Sequence, residues 1–381
     1  MARATSIVVG GCLPLSADHM VVDAAAQDRW LKAGRVPQVT ELGASTMVAA
    51  ALLDLYALSQ PEGLPVAGPA GPWRYIWPRD SALAAAALAR TGHASDAERI
   101  VAFWGRVQPA SGVFAARYRP DGSVPDDRGE QLDGTGWALW GTREVAAGLP
   151  EGERAAFVRR HRGLIDRSAN TALAKISRTG LPPASADYWE VREWRTTLAT
   201  AALLNAGLES AAELYGVADD PAAQATARAG AARLAAGIDR FFGPLGYPRR
   251  LGGRASTVDL GVSFLLPPFR AETRSDVVRS WRNAAVAMRR PAGGLAPGGS
   301  WRQDGISWTT ATSSYALTAA CLGDRKEVVH WLRWLDQHRT PAGSLPEKVT
   351  ASGRPAAVAP LAWTSAAVIL TAAELDPGLG P

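Results

Sequence analysis

Apolar residues recur along this chain at helical spacing almost throughout, and few stretches alternate as strands do. The periodicity predicts twelve helical segments, near 44–58, 79–92, 94–107, 132–148, 152–176, 193–207, 209–240, 257–266, 272–289, 308–322, 324–338 and 361–374. Two kinds alternate. Several odd-numbered segments are charged and amphipathic. The third sets Ile100, Phe103, Trp104 and Val107 on one stripe, with Ser95 and Glu98 as a capping box at its start. The eleventh repeats the pattern with Val328, Trp331, Leu332 and Leu335 behind an N-cap at Asp324, and the ninth pairs Val277 with Trp281. The even-numbered segments differ. Ser81–Leu88 is nearly all Ala and Leu, and Thr196–Leu204, Thr309–Leu322 and Leu361–Ala373 are Ala, Thr and Leu with almost no charge. A helix that is small or apolar on every side is expected to be buried on every side.

Amphipathic helices alternating with buried ones predict two concentric rings, the all-α (α/α)6 barrel. An α-solenoid also alternates helix pairs, but no sequence repeat is present. Residues 1–40 are expected to form an arm packed on the barrel, and 41–381 the barrel itself. Short connections such as Thr91-Gly92-His93 and Gly323 suit antiparallel neighbours. Every inner helix then starts at the same end, so the loops leading into even-numbered segments should converge. Those loops hold the unusual polar and aromatic residues: Trp73 to Asp80, Asp126 to Asp133, Asp187 to Arg192, Trp301 to Asp304 leading to Trp308, and Gly343 to Lys348 leading to Trp363. The loop before the eighth segment offers only Asp259. Function concentrates in loops held by a rigid scaffold, so this face is the expected active site.

Composition narrows the chemistry. The 381 residues suffice for one large domain. The formal charge is +5, but basic residues are spread among acids, with no basic stripe interleaved with aromatics, so nucleic acid is not an expected partner. Cys12 and Cys321 make no disulfide framework, and the five His match no metal or nucleophile motif. No metal or cofactor is expected. No stretch reaches the roughly 20 apolar residues of a membrane span. The run Ile7–Leu15 behind Arg3 is short for a leader, its lipobox-like Cys12 follows too brief an apolar stretch, and no clear cleavage site follows, which leaves the compartment between cytoplasmic and secreted. Most of the fourteen Trp are expected in the core, with the remainder available to stack on sugar rings.

Cleaving a glycosidic bond requires two carboxyl groups flanking it. In an inverting enzyme they lie roughly 6.5–9.5 Å apart, one protonating the leaving oxygen and the other activating water. Tyr75-Ile76-Trp77-Pro78-Arg79-Asp80, Gln131-Leu132-Asp133-Gly134, Asp187-Tyr188-Trp189-Glu190-Val191-Arg192 and Gly343-Ser344-Leu345-Pro346-Glu347 supply such groups in order. Together they resemble the hallmark segments of glycoside hydrolase family fifteen, the glucoamylase, glucodextranase and trehalase group. The resemblance spans roughly residues 30–375. It implies an (α/α)6 barrel and inverting, exo-acting hydrolysis of an α-linked oligosaccharide or small α-glucoside, releasing β-glucose. It also implies Glu190 as general acid, Glu347 as general base, and Arg79 with Asp80 as the grip on the terminal sugar. Tyr75, Trp77, Gln131, Asp133, Trp189, Arg192, Trp308 and Trp363 are the further expected sugar contacts. An apolar wall at Trp189 is expected to keep Glu190 protonated.

The segments also depart from the family. Trp73 stands near the Tyr that helps hold the attacking water in fungal members, and its ring nitrogen cannot accept a hydrogen bond. Gly129 and Glu130 alter the segment before the fourth helix, and an expected Arg is not evident in Gly293–Pro297. No segment reads as the β-sandwich that precedes the barrel in many bacterial members, or as a starch-binding module. These departures leave the aglycone open. They also keep two other readings in view: a catalytically inactive carbohydrate-binding homologue, and a phosphorylase or lyase on the same barrel. Glu347 argues against a phosphorylase, which needs no base.

Overall fold

The computed structural model describes residues 23–43, 45–252 and 257–379. Its helices are α1 (Ala24–Ala33), α2 (Met47–Leu58), α3 (Pro78–Arg90), α4 (Ala94–Val107), α5 (Asp133–Ala147), α6 (Glu151–Arg160), α7 (Arg162–Lys175), α8 (Leu198–Val217), α9 (Pro221–Phe241), α10 (Ser275–Met288), α11 (Thr309–Cys321), α12 (Arg325–Gln337) and α13 (Ala362–Leu375). A 3-10 segment, Leu260–Leu265, lies between α9 and α10. The inner ring closes on itself: α3 packs on α5, α5 on α8, α8 on the 3-10 segment, that segment on α11, α11 on α13, and α13 back on α3. Outside it, α4 covers α3, α7 covers α5, α9 covers α8, α10 covers the 3-10 segment, α12 covers α11 and α2 covers α13. The (α/α)6 barrel follows, and the Ala-rich helices are its inner wall.

Small residues let the inner helices meet at backbone distance. A methyl group on Gly136 of α5 would lie 2.2 Å from the Leu203 carbonyl oxygen of α8, and one on Gly207 would lie 2.8 Å from the Gly136 Cα. Replacing Gly136 by Ala should therefore destabilise the fold by about 1–3 kcal/mol through overpacking. Gly152, in outer helix α6, has open space around it, and Ala there should be neutral or slightly stabilising. Urea unfolding of the two variants tests the contrast.

Five sequence expectations change. The eighth segment, expected over 257–266, shrinks to six 3-10 residues, started by Asp259 accepting from Gly261 N at 2.9 Å and stopped by Pro267-Pro268. The fifth is broken at His161 into α6 and α7. The sixth begins at Leu198 rather than 193, because Glu193 is held by Arg249 and Arg250 outside the helix. It then runs on to Val217, so the break expected at 208 falls at Asp220-Pro221, where Asp220 caps α9. The Ser95–Glu98 capping box also does not form. The chain turns at His93, and Glu98 instead accepts from Arg160. Asp324 does cap α12.

In the arm, Trp30 of α1 stacks on His93 with ring centroids 3.7 Å apart and donates to Asp96 at 2.8 Å. Burial pushes the His93 pKa down to about 4. The expectations for Ile7–Leu15, Cys12 and the first half of the arm lie outside the described residues. Among the described residues, no helix is long and apolar enough to cross a membrane.

Candidate active site

All six inner elements contribute to one cavity of ≈ 300 Å³ at the ends where they begin. The segment before α3 brings Trp73, Trp77, Arg79 and Asp80. The segment before α5 brings Arg117 and Arg128, and the one before α8 brings Tyr188, Trp189 and Glu190. Leu260 opens the 3-10 segment, Trp301 and Trp308 precede α11, and Glu347 and Lys348 precede α13, whose first turn carries Trp363. The ring topology thus brings together residues far apart in the chain.

The Glu190 loop is held from beneath by a buried ion cluster. Arg249 donates to Asp187 at 2.7 Å, Glu193 at 2.8 Å and Asp259 at 2.8 Å, and all four side chains are inaccessible. Burial lowers the Arg249 pKa, but the Asp187 and Asp259 carboxylates raise it further overall. Arg249 also lies 3.9 Å from the centroid of the Trp189 ring, and Tyr188 donates to Asp259 at 2.7 Å. Asp187 Oδ1 accepts from Trp189 N at 3.0 Å and the Asp187 carbonyl from Glu190 N at 2.7 Å. This tight turn places Glu190 at φ 54, a left-handed conformation that a non-glycine residue holds only when its surroundings fix it.

The Glu190 side chain is surrounded by donors. Trp77 Nε1 and Arg79 Nη2 each donate to Oε1 at 2.5 Å, and Arg128 donates to Oε2. Trp189 lines the same cavity, with its ring engaged by Arg249 and by its neighbour Trp301, 4.6 Å away between centroids.

Glu347 also lines the cavity, at the edge of a small antiparallel sheet. Ser307–Trp308, Lys348–Val349 and Pro355–Ala356 pair in that order, with Trp308 opposite Lys348. Glu347 N donates to the Val358 carbonyl at 2.8 Å, and the Glu347 carbonyl accepts from Thr309 N at 3.0 Å, tying the loop to α11. Ser344 in the same loop donates to the buried Asp54 of α2 at 3.0 Å. Burial raises the Glu347 pKa above 4.5, against the opposing pull of Lys348, 3.3 Å away, and of a hydrogen bond from Trp73.

Arg79 pairs with Asp80 as well as with Glu190. Its Nε is 3.2 Å from Asp80 Oδ2. Burial pushes the Asp80 pKa up to about 6, with Arg79 opposing and Glu347 adding to the rise.

Four expected sugar contacts lie outside this cavity. Gln131 and Asp133 are buried behind Arg79, with Gln131 accepting from Arg79 Nη1 at 3.5 Å. Burial first, and then the nearby Asp187 charge, push the Asp133 pKa up to about 7. Tyr75 is covered by Arg117, 4.4 Å from its ring centroid. Arg192 points into solvent and stacks on Trp194, which is 73 % exposed. Their motif neighbours face the cavity, but the turns carry these four behind or away from it. Trp77, Trp189, Trp308 and Trp363 do line the cavity, although Trp189 has one face occupied. With Trp73 and Trp301, six of the fourteen Trp line the cavity, and Trp77 and Trp363 among them also belong to the buried core, where most of the Trp lie as expected. Sequence reasoning did not single out Arg117, Arg128, Tyr188, Trp301 or Lys348 as site residues. Arg128, Tyr188, Trp301 and Lys348 stood in the convergent loops, which was the available signal. Among the described residues, no group of three His, Cys, Asp or Glu side chains is placed to hold a metal ion.

No protein family profile and no curated protein matches this chain. Solved structures do. A glycosidase variant in complex with glucose superposes with a TM-score of 0.75 at 20% identity, over 94% of this chain and 100% of that one. A bacterial glucoamylase complexed with acarbose gives 0.70 at 16% identity, over 91% and 57%. The Hormoconis resinae glucoamylase gives 0.70 at 15% identity, over 90% and 75%. At these identities the likeness is one of fold, and that fold is the glucoamylase-like barrel.

Proposed function

We propose that this protein is an inverting, exo-acting α-glucoside hydrolase. The observation that carries the reading is the placement of Glu190 and Glu347 on one enclosed cavity, from loops before different inner helices, with the Arg79–Asp80 pair in the same wall. The glucose found in a neighbour of the same fold agrees with it. Glu190, protonated, gives its proton to the glycosidic oxygen as the C1–O bond breaks. Water attacks C1 from the opposite face, and Glu347 takes a proton from it. β-Glucose and an alcohol leave, Glu190 is a carboxylate, Glu347 is a carboxylic acid, and solvent exchange restores both. Lys348 stands beside Glu347, 3.3 Å away, and Arg79 with Asp80 binds hydroxyls of the terminal sugar through charge-assisted hydrogen bonds. Maltooligosaccharides, isomaltooligosaccharides, dextran and trehalose are the substrates to screen.

Proton NMR of a turnover reaction tests this reading. β-Glucose should appear first, and α-glucose appearing first would overturn inversion. The pH profile carries a second expectation. A general base must be ionised, and the Glu347 pKa is raised, so the acid limb of kcat/KM should lie above pH 4.5. Lys348 lowers that pKa, so Lys348→Met should move the limb to still higher pH, whatever its effect on the maximum.

A further inference from the structure

We propose that the leaving-group side of the cavity is built for an aglycone carrying an anionic group, a phosphate ester or a carboxylate on a sugar or polyol. This rests on the assignment of Glu190 as the acid, which makes its surroundings the leaving-group side. Beside Arg79, which with Asp80 grips the terminal sugar, two more guanidiniums reach this cavity, from Arg117 and Arg128. Arg79 has Asp80 and Gln131 besides Glu190. Arg117 is fixed on all sides: it donates to Asp126 and to the Pro72 carbonyl at 2.8 Å, and lies over Tyr75 and Trp77.

Arg128 differs. Its side chain is 38 % exposed, and apart from Glu190 its acidic partner is Asp126, 3.4 Å from Nε and already engaged by Arg117. Burial, and then the positive charges of Arg117 and Arg79, lower its pKa, the mark of a cation crowded by like charge. The free protein balances this excess with the Glu190 carboxylate. Catalysis removes that balance, because Glu190 must be neutral to donate a proton. In the reactive state Arg128 then faces the leaving group with half a partner. An anionic oxygen on the aglycone replaces the lost charge, and the planar fork of Arg128 suits phosphate or carboxylate. A neutral aglycone leaves the cation uncompensated in a partly desolvated cavity.

The test has two independent readouts. In calorimetric titration of the intact protein, glucose 6-phosphate or gluconate should bind at least tenfold more tightly than glucose. Arg128→Met should remove most of that preference and Arg128→Lys should keep part of it. Equal binding of all three ligands, or a preference unchanged in Arg128→Met, would overturn the proposal. In hydrolysis, trehalose is compared with trehalose 6-phosphate, and maltose with maltobionate. A higher kcat/KM for either anionic member supports the proposal and tells phosphate from carboxylate. Hydrolysis of the neutral members with no anionic advantage overturns the proposal and leaves the catalytic reading standing. Anion-selective binding with no glycoside cleaved leaves the anion site standing and overturns the catalytic reading.

Discussion

Glu347→Gln should lower kcat by roughly a thousandfold while leaving glucose affinity within a few fold, because a positioned general base contributes on the order of 10²–10⁴ in rate. The amide is nearly the same shape, so the sheet that carries it keeps its pairing. It can no longer take a proton from water. Steady-state kinetics and calorimetric titration with glucose separate the two effects, and retained turnover would remove Glu347 from the role of base. The companion change at Glu190 should depend on the leaving group. Glu190→Gln should cost a similar factor with an alcohol leaving group, whose oxygen needs a proton. It should cost far less with α-glucosyl fluoride, whose fluoride departs without one. Equal losses on both substrates would mean that Glu190 serves the loop rather than the proton transfer. The comparison matters because Trp77, Arg79 and Arg128 all hold Glu190, so a structural effect of the substitution is built into the site.

The second large effect concerns Arg249. Arg249→Met would leave Asp187, Glu193 and Asp259 without their shared cation, in a place closed to water. Removing one partner of a buried ion pair costs about 3–5 kcal/mol, since the remaining charge keeps its desolvation penalty. Here three carboxylates lose the same partner, although Arg250 still holds Glu193. A loss at or above the top of that range is expected in urea unfolding. The variant should also lose kcat with glucose affinity largely kept, because the turn that holds Glu190 is anchored through Asp187. Arg249→Lys should recover part of the stability. A lysine cannot reach three acceptors in a planar fork, so it should recover less of the rate.

Much of the barrel could be read from the chain because its two rings have different chemistry. Ser81–Leu88 and Leu361–Ala373 carry too little charge to face water, and the amphipathic α4 and α12 show one stripe each. The shortened fourth inner element was harder. Leu260–Leu265 is apolar enough for a helix, but Pro267-Pro268 permits only a brief 3-10 turn. The α8 boundary was misplaced because apolar periodicity continues through Glu209, whereas Asp220-Pro221 carried the stop and the next start.

At the site, motif membership identified the loops but not the side that each residue faces. Asp133 and Glu190 both stand in hallmark segments. One is the first residue of a buried helix, and the other is turned outward by a left-handed backbone. Arg249 was invisible for another reason. It lies beyond the 187–192 motif it supports, and only the fold joins them.

The contact between Gly136 and Gly207 bears on how such a barrel can diverge. Where two ring helices touch backbone to backbone, the bore is set by peptide geometry, and no exchange of side-chain volume can widen it. Drift elsewhere along the wall then leaves its calibre unchanged, provided those two positions keep a hydrogen in place of a side chain. The rim loops are free of this constraint. They are the part of the molecule in which a lineage can try new leaving groups without rebuilding the vessel that holds them.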